Sequence, residues 1–270
     1  MANDLQIVML ASGSKGNAAL ISSSRQRFLV DVGISCRELT KRMKAIGMSP
    51  EELDGVFLTH EHSDHVKGLA TFMKKYPVPV YSSANTWRAI LAKEGRLERQ
   101  RCRLIEGSLL CGDMRVDSFA IPHDAIDPHG YRFSSQSSGA SCTYVTDAGF
   151  ITDTIREAVA GCDTLVLEAN HDIEMLKNGP YPLQLKQRIL STRGHLANAT
   201  AGIFLSQLQK LPEHVVLAHL SEHNNLPELA QTTVQNMLDS KKRLQETELF
   251  VAAQDRVVAD SPLCVSLDLK

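Results

Sequence analysis

Short apolar runs separated by turn residues occur throughout the chain, and most of them are rich in β-branched residues. Runs of this length and composition favour β-strands. The sequence predicts strands at 6–10, 19–22, 28–32, 56–59, 78–81, 115–121, 131–134, 142–146, 164–167, 215–218, 249–252 and 264–267.

Stretches between these runs place apolar residues three or four positions apart, which is typical of amphipathic helices. Helices are predicted at 36–45, 85–93, 154–160, 183–190, 198–211 and 228–238. The first strands have hairpin-like spacing, and strands and helices then alternate. This order predicts mixed sheets covered by helices, an α/β sandwich in a single domain of residues 1–270.

Composition narrows the class of protein. With 270 residues, 43% of them hydrophobic, the chain can build a sizeable core, and its net charge of −2 argues against binding nucleic acid by bulk attraction. The six cysteines form no Cys-x-x-Cys pair, which fits a reducing cytosol better than a disulfide framework or thiolate metal site. Without a signal sequence or membrane-spanning run, we expect a cytoplasmic protein that does not contact membranes.

The densest chemistry lies in residues 59–65, Thr-His-Glu-His-Ser-Asp-His, directly after the apolar run 56–58. Neutral imidazoles and carboxylates are ligands for zinc and similar divalent ions. Such a loop can begin two sites, with His60 and His62 facing one ion and Asp64 and His65 facing the other. A solvated loop with a helix cap is the alternative, and it does not explain three closely spaced histidines.

Four further polar residues follow apolar strands. They are Asp31, His123, Asp147 and His219. A single histidine in such a place is more often structural, but the four residues and the histidine-rich segment together indicate a metal site.

These residues, in this order, resemble the metallo-β-lactamase superfamily, whose His-x-His-x-Asp-His motif matches residues 60–65. The resemblance covers nearly the whole chain. It implies a four-layer αβ/βα sandwich that holds two divalent metal ions, zinc or manganese, at one edge of its sheets. It also implies that His60, His62 and His123 bind one ion, that Asp64, His65 and His219 bind the other, that Asp147 bridges them, and that Asp31 orients a ligand or the bridging water.

Two segments resemble the nuclease branches of that superfamily. Residues 167–170, Leu-Glu-Ala-Asn, and residues 193–196, Arg-Gly-His-Leu, match motifs in which a glutamate orients a histidine. The resemblance implies that Glu168 orients His195, which contacts the phosphate or protonates the leaving oxygen. A carboxylate-paired histidine stays charged near neutrality, as such an acid must. Glu168 as a helix N-terminal carboxylate and His195 as a capping or surface residue are the alternative roles. Asp64, Glu168 and His195 are the predicted catalytic residues.

The loop 11–17, Ala-Ser-Gly-Ser-Lys-Gly-Asn, together with segments 193–195, 219–221 and 224–226, resembles the YycJ/WalJ branch. Members of that branch are implied to be bacterial cytoplasmic 5′-to-3′ DNA exonucleases. Ser14, Lys15, Asn17 and Arg193 are therefore predicted substrate contacts, since a Gly/Ser loop can offer N–H groups to a phosphate. An ordinary tight hairpin is the alternative for the loop.

In the branch that processes the 3′ ends of tRNA, a long inserted arm grips the tRNA, and the β-CASP nucleases carry an inserted extra domain. This sequence shows neither insertion between its motifs. These absences favour a compact phosphodiesterase. Basic residues that could line a nucleic-acid groove are Arg96, Arg99, Arg101, Arg103, Lys186, Arg188 and Arg193. Arg99, Arg101 and Arg103 would share one face of a strand, although such residues also commonly form a solvated surface.

The sequence thus predicts a two-metal phosphodiesterase, a DNA exonuclease with DNA favoured over RNA as its partner. The alternatives are an RNA-processing nuclease, a hydrolase of a small phosphodiester, thioester or lactam, and a metal-binding regulatory protein. The metal, the polarity of cleavage and the oligomeric state stay open.

Overall fold

Two β-sheets packed face to face, with helices on their outer sides, make up residues 5–95 and 97–259, which this computed structural model describes. The strands are β1 (Gln6–Ala11), β2 (Ala18–Ser22), β3 (Arg27–Val30), β4 (Gly55–Phe57), β5 (Val80–Ser82), β6 (Cys102–Leu104), β7 (Ser108–Cys111), β8 (Met114–Ala120), β9 (His129–Ser135), β10 (Ser141–Val145), β11 (Thr164–Glu168), β12 (His214–Ala218), β13 (Glu248–Val251) and β14 (Val258–Ala259). The helices are α1 (Cys36–Ala45), α2 (Ser63–Val66), α3 (Leu69–Lys75), α4 (Ala84–Lys93), α5 (Asp153–Val159), α6 (Ile173–Asn178), α7 (Leu183–Ile189), α8 (Asn198–Gln207) and α9 (Pro227–Ser240). The predicted four-layer α/β sandwich is confirmed. Within the described ranges, every helix is too short or too polar to cross a membrane.

Each sheet joins an antiparallel half to a parallel half. In the first sheet the order is β14-β1-β2-β3-β4-β5-β6, with parallel pairing from β3 to β6. In the second the order is β7-β8-β9-β10-β11-β12-β13, with parallel pairing from β10 to β13. β8 runs in the direction of β10, because two antiparallel steps separate them. The residues that follow these strands therefore lie together at the same edge of each sheet.

Alternation along the strands divides the apolar side chains between the layers. Val56 of β4 packs towards the outer helices, whereas Phe57 points into the space between the sheets. β3 repeats the pattern, with Leu29 towards the helices and Phe28 and Val30 between the sheets. Both faces of these strands are buried, which explains their continuous apolar runs.

Each predicted strand within the described residues is present, with ends shifted by at most two positions. The strand predicted at 264–267 lies outside the described residues. The helix predicted at 198–211 is shorter and ends at Gln207. The structure adds β6, β7, β14, α2, α3 and α6, which the apolar pattern did not indicate.

The expectation that Arg99, Arg101 and Arg103 share one face of a strand is wrong. Residues Arg99–Arg101 form a short 3-10 helix, and β6 begins only after it. The Arg101 guanidinium donates to two backbone carbonyls at the end of α3, so it stabilises that helix end rather than lining a groove. Arg96 lies outside the described residues.

The substitution Phe57→Ala is expected to lower the free energy of unfolding by about 3–5 kcal/mol. The ring is fully buried and packs against Tyr81, Tyr131 and Phe133 at centroid distances of 5.0, 5.4 and 5.5 Å. Phe150→Ala is the matched control, because that ring is 43% exposed, and it should change stability by less than about 0.5 kcal/mol. Urea unfolding followed by circular dichroism measures both, and equal losses would contradict the packing described.

Candidate metal centre

All of the predicted metal ligands meet at the edge where the parallel strands end. Asp31 follows β3, residues 60–65 follow β4, His123 follows β8, Asp147 follows β10, and His219 follows β12. The two sheets face each other, so these strand ends converge on one cavity of about 210 Å³. The structure therefore brings together every side chain that the sequence placed around the two ions.

His60, His62 and His123 form the first ligand group, with one ligand atom from each within 4.8 Å of the others. The Nδ1 of His60 lies 3.0 Å from the Thr59 hydroxyl, and the Nδ1 of His123 lies 3.1 Å from the Gly194 carbonyl. These contacts fix the rings and leave Nε2 facing inward, as in metal-binding histidines. Burial and the neighbouring histidines hold the pKa of His60 well below its usual value, and burial lowers the pKa of His62. Both imidazoles are thus neutral, which metal ligation requires.

Asp64, His65 and His219 form the second ligand group. One Asp64 oxygen, Oδ2, lies 3.6 Å from His65 Nε2 and 3.5 Å from His219 Nε2. On its other side, His65 Nδ1 lies 2.7 Å from Asp31 Oδ2. Burial would lower the pKa of His65, but Asp31 and two further carboxylates raise it well above its usual value. A metal cation bound at His65 would replace the proton on this imidazole and supply the positive charge that the surrounding carboxylates favour.

Asp31 is fully buried and contacts the candidate ligand His65 directly. Its carboxylate also accepts hydrogen bonds from the backbone N–H and the hydroxyl of Thr59, at 2.8 and 2.9 Å. The contact with a candidate ligand matches one of the two roles expected for it, and the carboxylate fixes both the position and the tautomer of the imidazole.

Asp147 lies between the two ligand groups. Its Oδ1 is 3.8 Å from His123 Nε2, and its Oδ2 is 3.3 Å from His65 Nε2. One carboxylate thus faces a member of each group, which is the position of a shared ligand.

Three buried atoms at the centre of the site have no hydrogen-bond partner among the described residues. They are His60 Nε2, His219 Nε2 and Asp147 Oδ2. An unmatched buried polar atom costs roughly 1–3 kcal/mol, so three together indicate a missing partner. A divalent cation satisfies imidazole nitrogens and a carboxylate oxygen alike. The side chains at this site therefore fit divalent metal ions.

Glu168 joins the site through four hydrogen bonds. Its Oε1 lies 2.8 Å from Nδ1 of both His195 and His219, and its Oε2 accepts from the backbone N–H groups of Ala148 and Leu196 at 2.9 and 3.0 Å. Burial would raise the pKa of Glu168, but the two imidazoles lower it overall and keep the carboxylate ionised. Both oxygens are engaged by these four donors, an arrangement that suits a carboxylate holding two imidazoles in place, although Glu168 also belongs to a candidate ligand group with Asp147, His195 and His219. The predicted contact with His195 is present, and the contact with His219 is one that the sequence did not reveal.

Three site residues have left-handed backbone conformations. The φ angles are 63° at Asp31, 58° at Asp147 and 56° at His219. This conformation costs an L-residue about 1–2 kcal/mol. Hydrogen bonds from distant segments help to hold it, such as the one from the His219 N–H to the Ser12 hydroxyl at 2.8 Å, 207 positions away. Strain concentrated at strand ends that meet in one cavity is typical of functional sites.

The predicted substrate contacts separate into different places. Ser14 lines the metal cavity, and Lys15 lines an adjoining groove of about 530 Å³, where it pairs with Glu222 at 2.5 Å. Arg193 is exposed and donates to the His123 carbonyl at 3.2 Å. These three residues border the site.

Asn17 cannot contact substrate where the structure places it. Its side chain is fully buried, and its amide nitrogen lies 3.2 Å from the Gly13 carbonyl and 3.1 Å from His65 Nε2. Its oxygen accepts from the Gly13 N–H at 2.9 Å. The prediction for Asn17 is therefore corrected: it closes the Gly/Ser loop against the metal site.

Asp124 is a site residue that the sequence analysis missed. Its Oδ1 lies 3.2 Å from His123 Nε2, and its other oxygen accepts a hydrogen bond from Arg188 Nε. The only available signal was its place directly after a predicted ligand.

Known proteins resemble this chain along most of its length. Residues 26–220 match the family model of the beta-lactamase superfamily domain. Exodeoxyribonuclease WalJ of Streptococcus pneumoniae is 36% identical over 259 residues, which cover 94% of this chain and 93% of that protein. Exodeoxyribonuclease YycJ of Bacillus anthracis is 36% identical over 240 residues, 88% of this chain and 90% of that protein. The solved structure of the metallo-β-lactamase fold protein YhfI from Bacillus subtilis has a TM-score of 0.68 over 94% of this chain and 99% of that one, at 16% identity, and this likeness shows the fold alone.

Substitutions at Asp147 should separate metal binding from backbone strain. Asp147→Ala and Asp147→Gly both remove the shared carboxylate, so both should lose metal content, as measured by mass spectrometry of the dialysed protein. At φ 58°, alanine keeps a strain of about 1–2 kcal/mol, whereas glycine relieves it at an unfolded-state cost of about 0.4–1 kcal/mol. The metal-free glycine variant should therefore be more stable by about 0.5–1 kcal/mol in thermal unfolding. An alanine variant of higher stability would show that this backbone is not strained.

Proposed function

The chain belongs to the metallo-β-lactamase superfamily and to its YycJ/WalJ-like branch, and from that premise we propose that it is a two-metal phosphodiesterase, a DNA exonuclease that degrades its substrate from the 5′ end. Its relatives in that branch are named exodeoxyribonucleases, which supports DNA as the substrate. The observation that carries the proposal is the Glu168–His195 pair beside the two ligand groups, since phosphodiester cleavage needs an acid for its leaving group.

The shape of the cavity supports a polymeric substrate. The metal cavity opens to solvent along its rim and shares Ser14 and Ser221 with the adjoining groove of about 530 Å³. A substrate whose reacting group lies at the metal centre can therefore extend along this groove, as a nucleic-acid strand would.

In the proposed centre, His60, His62 and His123 would hold one cation, Asp64, His65 and His219 would hold the other, and Asp147 would be shared by both. Zinc and manganese both accept this set of ligands. When bound, two such cations supply a hydroxide nucleophile at neutral pH and polarise a phosphoryl oxygen. Asp31 holds His65 in place throughout, and Glu168 does the same for His219.

His195 is the proposed general acid. Glu168 binds its Nδ1, which leaves Nε2 for the departing sugar oxygen. Burial would lower the pKa of His195, but Glu168 raises it above its usual value. This shift favours the protonated imidazole, which reaches the cavity with 19% of its side chain exposed.

A cytoplasmic location is also proposed. Four cysteines within the described residues, Cys36, Cys102, Cys111 and Cys162, are free thiols, and free thiols persist in a reducing compartment.

The deciding experiment incubates protein loaded with manganese or zinc with 5′- and 3′-end-labelled single- and double-stranded DNA, RNA and a thioester. We expect 5′-labelled DNA to release labelled mononucleotides first, and the Asp147→Ala variant to release none. Cleavage of RNA alone would favour an RNA-processing nuclease, and cleavage of the thioester alone a small-molecule hydrolase. Metal-loaded protein that is inert on every substrate would favour a regulatory protein.

His195→Ala should retain its metals and lose roughly 10²- to 10⁴-fold in kcat on DNA, the usual contribution of a general acid. On bis-p-nitrophenyl phosphate the loss should be far smaller, because p-nitrophenolate leaves without a proton. Comparing kcat on the two substrates tests the role, and equal losses on both would remove His195 from the position of acid.

A further inference from the structure

One wall of the metal cavity has no part in holding ions. It consists of the loop after α6 and the helix α7, and it presents Tyr181, Leu185, Arg188 and Ile189 to the cavity. An aromatic ring, two aliphatic side chains and a guanidinium lie here beside an acidic, histidine-rich centre. The apolar part of this wall cannot contribute to binding a phosphate group alone, so it fits a ligand that also carries an apolar surface.

Arg188 is the only lysine or arginine that lines the cavity among the described residues. Its side chain is 56% exposed, and its Nε donates to Asp124. Within the described ranges, Asp124 is the only recorded partner of the guanidinium, so the two terminal nitrogens are available to a second acceptor. Phosphate oxygens are such acceptors, since a guanidinium binds carboxylates and phosphates with the same geometry.

Asp124 fixes the place of that guanidinium relative to the ions. Its other oxygen lies 3.2 Å from Nε2 of the candidate ligand His123. The Asp124 carboxylate therefore lies between the Arg188 guanidinium and the first ligand group. A phosphate bound there would be a neighbour of the reacting phosphate rather than the reacting phosphate itself.

Tyr181 lines the cavity with an aromatic ring. Its ring is half-buried and packs edge-on against His223, with centroids 5.8 Å apart and planes at 77°. Leu185 and Ile189 extend the apolar surface on the same wall. Bases stack on aromatic side chains irrespective of sequence, and such a contact contributes roughly 5- to 150-fold in affinity.

We propose that this wall binds the terminal nucleotide of a strand, with Tyr181 stacking on its base and Arg188 binding the phosphate adjacent to the scissile one. A terminal base has one face that no neighbouring base covers, so an aromatic ring can stack on it. The inference rests on the proposed nuclease function and adds to it a binding site for the terminal nucleotide.

The test for Tyr181 compares two fluorescent, 5′-phosphorylated single-stranded oligonucleotides that differ only in their terminal nucleotide, one normal and one abasic. Phosphorothioate linkages prevent cleavage, so anisotropy with the metal-loaded protein reports binding alone. The wild type should bind the normal end roughly 5- to 150-fold more tightly than the abasic end. Tyr181→Leu should remove that difference, and Tyr181→Phe should restore most of it.

Leu183→Ala is the matched control, because Leu183 lies two positions after Tyr181 at the start of α7, is 70% exposed and does not line the cavity. It should leave the ratio unchanged. A Tyr181→Leu protein that still prefers the normal end would overturn the assignment of the base platform. Equal loss of affinity for both ends would do the same, because it indicates general damage to the wall.

Arg188→Gln should weaken binding of both oligonucleotides and reduce the slope of log K against log salt by roughly 0.7, the value for one phosphate contact on a single strand. Lys177→Gln, near the end of the neighbouring helix α6 and outside the cavity lining, should leave the slope unchanged. An unchanged slope in Arg188→Gln would exclude the phosphate contact. Binding that follows these expectations without any cleavage of unmodified DNA would contradict the nuclease function while leaving this binding site in place.

Discussion

The carboxylates of Asp31, Asp147 and Glu168 lie buried in one small volume, where water solvates them hardly at all. Each needs opposite charge or several donors, because an unmatched buried ion costs on the order of several kcal/mol. Asp31 is matched by His65 and a threonine, and Glu168 by two imidazoles and two backbone amides. Asp147 keeps one oxygen without a hydrogen-bond partner among the described residues. The negative charge that the protein itself leaves unbalanced therefore lies on Asp147, between the two ligand groups.

The strands could be predicted wherever both faces of a sheet are covered. β3 and β4 lie between a helical layer and the second sheet, so their sequences are continuously apolar and mark their own positions. β6 and β7 were missed because they lie at sheet edges with half-buried and exposed residues, which leave no apolar run in β6 and one of only three residues in β7. α2 was missed for a different reason: it begins inside the histidine-rich segment, where the residues needed for chemistry replace the helical pattern.

The ligand set was predictable because its members share one motif or follow apolar strands, and the chain direction then brings them together. Contacts between distant segments left no such trace. Glu168 and His219 are 51 positions apart, and Asp124 and Arg188 are 64 apart, so no local spacing reveals either pair. Asn17 shows the opposite failure. A Gly/Ser loop suggests a phosphate cradle, but the buried carboxamide is used to hold the loop itself closed.

A single atom, Oε1 of Glu168, accepts hydrogen bonds from both His195 and His219. Because the two hydrogen bonds share one acceptor oxygen, a stronger bond to one imidazole weakens the bond to the other. Under the proposed assignments, exchanging one metal for another at His219 would retune the acid on His195 with no backbone movement at all. The identity of the metal and the acidity of His195 are therefore coupled through this glutamate. A related enzyme that used a different metal would need compensating substitutions around Glu168 to keep the same acidity.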